Sequence, residues 1–354
     1  MSDQLVLSLD AMGGDDAPGM VLEGVRLAHQ CHPGVHFLLF GDEAVLGPQV
    51  CEEMRRYCSI RHAPDVVGSA DKPAQALRQR RTTSMWLAIK SVKDGEASGV
   101  VSAGNTGALM AMAKLALRML PGIDRPAIAA LLPTERRESV VLDLGANAEC
   151  NADHLVQFAV MGSVFARILL NLGRPSVGLL NIGSEDQKGT ESLRQASSIL
   201  RSSDPSMFDF HGFVEGNDIG AGTVDVVVTD GFTGNVALKT AEGTSHLYTA
   251  FLKEAFRTSI LARLGYMLAR GSLSRLKERV DPRRYNGALF LGLGGVCVKS
   301  HGGTDGIGFA NAIGVAVESI SNSLNEKIKS GCEHVAPHLS SALSLQSDDG
   351  FDGP

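Results

Sequence analysis

The chain has 354 residues, 44% of them hydrophobic and 20% charged, and a net charge of −6. That length allows one large α/β domain or two smaller ones, and the acidic balance excludes a general nucleic-acid binder. The first residues, "MSDQLVLSLD", lack the basic flank and apolar length of a signal peptide, no run is expected to reach a membrane span, and the six scattered cysteines form no CxxC pair and fit a reducing cytosol.

Taken in chain order, apolar runs predict strands at 4–10, 35–42, 99–104, 127–133, 139–145, 176–183, 224–231 and 287–294. Several are almost continuously apolar, as strands buried on both faces should be. Helical patterns lie between them at 19–31, 73–93, 105–120, 153–172, 189–202 and 233–260, and a last long helix opens after residue 299. Pro18 fits the start of the first helix and Pro73 the first turn of the helix at 73–93. The alternation predicts βαβ units and a mostly parallel sheet covered on both sides. Residues 1–333 are expected to form a single α/β domain with an amphipathic helical excursion at about 245–285. Residues 334–354, ending "SLQSDDGFDGP", have lost periodicity and are expected to form a disordered tail.

Many of these strands end in one kind of loop: "DAMGGDD", "SAGNTGA", "DLGANAE", "NIGSEDQKGTE", "TDGFTGN" and "GLGG". In open parallel sheets ligands bind beyond the carboxyl ends of strands, and glycine lets backbone N–H groups approach them. Asn105, Thr106, Asn147, Ser184, Thr233 and Asn235 add polar donors, and helix starts attract anions. One such loop is explained by turn and cap chemistry alone. Six in one chain point to a shared site for a phosphate or an acyl oxyanion.

The first loop, with Gly13 and Gly14 flanked by Asp10, Asp15 and Asp16, raises the question of a metal. No HExxH, Cys/His spacing or further carboxylate arrangement supports one, so no metal is expected. GxGxxG, GxxxxGK[ST] and GxSxG are also missing, so no nucleotide cofactor and no serine nucleophile are expected. Lys188 sits at a strand-to-helix junction, either as a charge for a phosphate or leaving thiolate or as a surface lysine paired with Glu185, Asp186 or Glu191. His301, in "KSHGGTDGIGFANAI", is a proton donor, a ligand contact or a structural hydrogen-bonder. "RQRR" at 78–81 reads as a solvated face or a dock for an acidic partner. Residues 253–284 hold nine Lys or Arg against three acids, a local +6 that leaves about −12 on the rest, interleaved with apolar residues at helical spacing. The segment suits packing on the protein, a dimer interface, an anionic lipid surface or an acidic protein.

Together "LDAMGGDDAP", "KPAQALRQRRTTSM", "VVSAGNTGALMA", "RPAIAALLPT", "LDLGAN", "LLNIGSEDQKGTE", "DGFTGNVALK" and "HGGTDGIGFANAI" make residues 5–325 resemble the bacterial phosphate acyltransferase family, PlsX. The resemblance implies a three-layer α/β/α sandwich related to the isocitrate dehydrogenase and phosphotransacetylase group. It implies a cytosolic, peripherally membrane-associated homodimer without metal or cofactor. Such an enzyme transfers a long-chain acyl group from acyl carrier protein to inorganic phosphate, and a membrane glycerol-3-phosphate acyltransferase consumes the acyl phosphate. In that setting Lys188 and Asn235 are the expected catalytic residues. Asp10, Gly13, Gly14, Asn105, Thr106, Asn147, Thr233 and His301 are expected around phosphate or substrate, with Asp10 fixing neighbouring loops by hydrogen bonds. Arg263, Arg270, Arg275 and Lys277 are expected to meet the acidic carrier or the membrane. Three rivals are an acyl coenzyme A-dependent phosphotransacetylase, an oxidoreductase of the isocitrate class and a non-enzymatic membrane scaffold using 251–284.

Overall fold

Strand β1 (Val6–Asp10) and the apolar runs that follow it have too little polar surface to face water, so they assemble beside one another. The structure is a computed structural model that describes residues 4–203 and 206–333, with the side chain of Lys277 left aside. The tail expected at 334–354 lies outside the described residues. After β1 come α1 (Gly19–Cys31), β2 (His36–Gly41), α2 (Glu43–Leu46), β3 (Cys58–His62), α3 (Pro73–Gln79), α4 (Ser84–Lys93) and β4 (Gly99–Ser102). Next are α5 (Thr106–Leu117), β5 (Ala127–Pro133), β6 (Glu138–Leu142), α6 (Ala152–Leu169), β7 (Ser176–Leu180), α7 (Glu191–Ser202) and β8 (Asp209–Val214). The chain continues through α8 (Gly216–Ala221), β9 (Val226–Val228), α9 (Gly231–Ala255), α10 (Ile260–Arg279), β10 (Ala288–Leu291), β11 (Val296–Lys299) and α11 (Gly306–Ser321).

Among the described residues eleven strands form one sheet, in the order β3-β2-β1-β4-β11-β10-β5-β6-β9-β7-β8. Pairing is parallel on both flanks and antiparallel only through the centre, at β11–β10, β10–β5 and β5–β6. The expectation of a mostly parallel sheet therefore holds, with a central reversal that strand spacing does not announce. Pair by pair, one row of residues crosses the sheet: Ile60, Leu39, Leu9, Val101, Val298, Leu289, Ala129, Leu142, Val228, Leu179 and Phe213. All but Ile60 are buried in one core, and Ile60 packs against it. The second core, on the opposite face, holds Val100, Leu109, Val141, Val227 and Phe290.

This row explains where the glycine loops go. β1, β4 and β11 end one residue past it, whereas β6 and β9 end on it while running the opposite way. The loops after β1, β4 and β11 therefore leave one edge of the sheet, and those after β6, β9 and β7 leave the other. The single rim expected from sequence is replaced by two, because the antiparallel centre turns half of the strands around.

Three strands escape the sequence pattern. β3 and β8 lie at the two edges with mixed polarity, and β11 is a four-residue return after Gly294-Gly295. The helix expected over 73–93 breaks at Thr83, which turns extended, caps α4 through Trp86 N–H and pairs with Asp65 in an isolated bridge. The helix expected over 233–260 begins at Gly231, ends at Ala255 and hands over to α10, so 231–279 forms a helical hairpin. One described helix, α6, is apolar enough over its 18 residues to pass as a membrane span, contrary to expectation, but 78% of it is buried at the core.

Candidate active site

On the first edge, the loop after β1 is held by a buried carboxylate. Asp10 accepts from the Ser84 hydroxyl at 2.6 Å and the Ser102 hydroxyl at 2.7 Å. Burial pushes its carboxyl above the ordinary 3.8, while these bonds and Lys299 pull the other way. Asp10 thus ties the ends of β1 and β4 to the start of α4 and offers no free face, being 1% exposed. At Gly13 a Cβ would lie 2.5 Å from Asp10 Oδ2 and 2.8 Å from Gly104 N, so backbones pass too closely there for any side chain. Gly14 has φ of +116°, a left-handed conformation that favours glycine.

Asn105 caps α5 by accepting from Ala108 N–H, and its amide donates to the Ser69 and Asp71 carbonyls. Its side chain is thus occupied in pinning 68–71, while Thr106 is the first residue of the helix. His301 Nδ1 accepts from Gly303 N–H at 3.2 Å, and the ring is exposed. Lys299, at the end of β11, donates to the Ala103 and Ser300 carbonyls. Burial lowers its pKa to about 8, with Asp10 and Asp15 opposing and Lys239 adding to the fall. Lys239 belongs to α9, so that helix reaches from the second edge to the neighbourhood of the first.

On the second edge the organising group is Asp143. Its carboxylate accepts from the N–H groups of Ile128, Gly145, Ala146 and Asn147 and from the Asn147 amide, at 2.7–3.1 Å. Burial raises its pKa and the hydrogen bonds oppose the rise. Asn147 is 8% exposed and spends its amide on Asp143 and the Pro126 carbonyl, so it shapes the loop rather than facing a ligand. Helix α9 seats directly on this knot. Gly231 donates to the Asn147 carbonyl at 2.7 Å, and a Cβ at Gly234 would overlap the Asp143 carbonyl oxygen. Asp230 caps the helix by accepting from Thr233 N–H, and it also accepts from the Thr233 hydroxyl.

Two residues further on, Asn235 is exposed and sits against Gly145, whose φ is +132°. Its side-chain amide makes no hydrogen bond among the described residues. Lys188 lies on the same edge, after β7, with Nζ 3.5 Å from Glu185 Oε1 and a half-exposed side chain. That is the surface pairing weighed for it in the sequence. Its backbone is held by Asn181, whose amide donates to the Lys188 carbonyl, and a Cβ at Gly189 would overlap Asn181 Oδ1. The structure thus gathers Asn147, Lys188, Thr233 and Asn235 on one edge, and Asp10, Gly13, Gly14, Asn105, Thr106 and His301 on the other.

Sequence reading missed Asp143, Asn181 and Lys239. The signal for Asp143 was the acid directly before the "LGAN" turn, where a carboxylate can collect the loop's N–H groups. Among the described residues no group of three His, Cys, Asp or Glu side chains could hold a metal ion. Arg263, Arg270 and Arg275 are all exposed on α10, with no carboxylate in ion-pair distance among the described residues, and Lys277 lies on the same helix. Among the described residues most of the exposed large apolar side chains are also on this hairpin, including Phe251 (60%), Leu261 (80%) and Leu268 (82%).

The fold is that of the phosphotransacetylases: a phosphotransacetylase from Streptococcus pyogenes superposes with a TM-score of 0.59, at 15% identity, over 91% of this chain and 95% of that one. Residues 5–327 match the family model described as fatty acid synthesis protein. A phosphate acyltransferase from Rhodospirillum rubrum is 63% identical over 93% of this chain and 95% of its own. One from Rhodospirillum centenum is 58% identical over 98% of both. The chain belongs to the phosphate acyltransferase family and is an acyltransferase that uses phosphate as acceptor.

Proposed function

We propose that the acyl donor is a long-chain acyl carrier protein, and that Lys188 and Asn235 carry the transfer. A phosphate oxygen attacks the thioester carbonyl, the tetrahedral oxyanion collapses, and the carrier thiolate leaves as acyl phosphate forms. The observation that carries this reading is Asn235: an unpartnered amide at the start of α9, on the same edge as Lys188. A donor held in place this way stabilises charge that appears only in the transition state. Lys188 neutralises the phosphate or the departing thiolate. Cys150 is the cysteine near this knot, and burial together with Asp143 and Asp230 pushes its thiol up to about 12. A thiol so reluctant to ionise is a poor nucleophile, which supports direct attack by phosphate over a covalent enzyme intermediate.

The remaining parts of the reading concern location. The protein acts in the cytosol as a homodimer, peripherally attached to an anionic membrane, and passes acyl phosphate to a membrane glycerol-3-phosphate acyltransferase in phospholipid synthesis. The cationic, apolar hairpin of α9 and α10 supports both contacts, since acyl carrier protein is acidic.

The test is phosphate-dependent thiol release from acyl carrier protein and from acyl coenzyme A, with acyl phosphate detected. Lys188→Ala and Asn235→Ala should each lower kcat about 10²-fold or more while unfolding normally. Undiminished turnover in a folded Lys188→Ala would overturn its role, and equal use of acyl coenzyme A would favour the phosphotransacetylase-like alternative. Charge reversal at Arg270 and Arg275 should raise KM for the carrier most at low salt. Kinetics that ignore ionic strength would remove the steering role.

A further inference from the structure

A groove of about 1500 Å³ runs between α8, α9, α10 and the sheet. It exceeds the roughly 300–1,000 Å³ of a small-molecule pocket. Its near end is Gly234, the residue that seats α9 on Asp143 beside Asn235. Its floor is Leu132, Val141 and Leu144, and its far walls include Leu252, Phe256 and Met267. Lys253, Arg257 and Arg263 also line its far end, and no carboxylate lines it among the described residues. Of the hydroxyls on the α9 wall, that of Thr249 donates back to the Ser245 carbonyl. From Gly234 to Leu252 the helix rises about 27 Å. One leaflet of acyl chains fills about 15 Å, half of a bilayer core.

We propose that this groove holds the long, unbranched acyl chain of the thioester donor, with the carbonyl at Asn235 and the methyl end directed toward the hairpin tip. The proposal rests on the acyl-transfer reading above and adds the determinant of chain length. The continuity at Gly234 carries it: the wall of the groove and the seat of the reacting edge are the same residue. An apolar chain leaving the carbonyl there enters the groove without crossing water.

Ala241 lines the groove seven residues beyond Gly234, about 10 Å along the helix. Ala241→Phe should plug the groove at that depth. Each methylene denied burial costs roughly fourfold in binding, so the ratio of kcat/KM for a sixteen-carbon donor to that for a six-carbon donor should fall at least tenfold. Ala250→Phe, exposed and outside the groove, should leave the ratio at its wild-type value. A folded Ala241→Phe enzyme with the wild-type ratio would overturn the proposal. A second measurement does not depend on that variant folding. A palmitoyl thioester with a diazirine on its last carbons, photolysed with the wild-type protein, should label peptides within 241–276. Labelling confined to other segments would also overturn it. Absence of phosphate-dependent thiol release from the wild-type protein would instead remove the functional reading, with the labelling still reporting on the groove.

Discussion

Two glycines in α9 have opposite surroundings, and alanine at each should have opposite effects. At Gly234 a Cβ would overlap the Asp143 carbonyl oxygen and lie 3.0 Å from its carbon and 2.9 Å from Thr229 Cγ2. Carbon atoms prefer about 3.5–4.0 Å, so the helix start must lift by at least about 0.5 Å. At Gly243 a Cβ would meet nothing within 4 Å. Both substitutions gain about 1 kcal/mol of helix propensity. Their difference therefore isolates the overlap, expected at about 1–3 kcal/mol. Gly243→Ala should raise the urea midpoint above wild type, and Gly234→Ala should fall below Gly243→Ala by that margin. Because Asn235 rides on the lifted segment, Gly234→Ala should also lose about 10- to 100-fold in phosphate-dependent thiol release, as displacements near 1 Å do. A Gly234→Ala protein as stable and as active as Gly243→Ala would refute the seating of α9.

Two further expectations concern pH and ion pairing. The folded value of Lys299, about 8, lies below the 10.5 of the unfolded chain, so between those values the unfolded state binds more protons. Stability should therefore rise with pH across that window, by up to about 1.4 kcal/mol per unit; Lys299→Met should abolish that component, as urea titrations at pH 8 and 10 will report. Burial opposes the ionisation of Asp225, but bonds from Ser176 and Arg137 outweigh it and hold its carboxyl below 3.8. Its contribution should be present above pH 4 and lost as pH falls through the lowered value. Asp225→Ala should cost about 3 kcal/mol at pH 7 and flatten the acid limb of the stability curve.

What could be read in the sequence follows from where the physical signal lies. Strands buried on both faces, such as β1, β4 and β9, write a continuous apolar run, and βα alternation followed from them. Edge strands β3 and β8 need only half of that signal, and β11 is too short to write one. The reversal at β10, β5 and β6 was illegible because it depends on which strands pair, and a strand's composition is the same in either direction. For the same reason the glycine loops were read as ligand-type turns on one rim and not divided between two edges. Asn235 and Lys188 were singled out through their loops, and their roles are the proposal made above. Asp143 was passed over because its importance comes from five donors converging in space, one of them, the Ile128 N–H, fifteen residues away in the chain.

Helix α9 behaves mechanically as a cantilever. It is clamped over Gly231–Gly234, where glycine contacts admit no slack, and its remaining 21 residues to Ala255 extend about 32 Å as a largely exposed beam. A tilt of about 2° at the clamp shifts the free end by about 1 Å and Asn235 by almost nothing. Bending at the tip, under whatever load docks there, is therefore decoupled from the alignment of the reacting atoms.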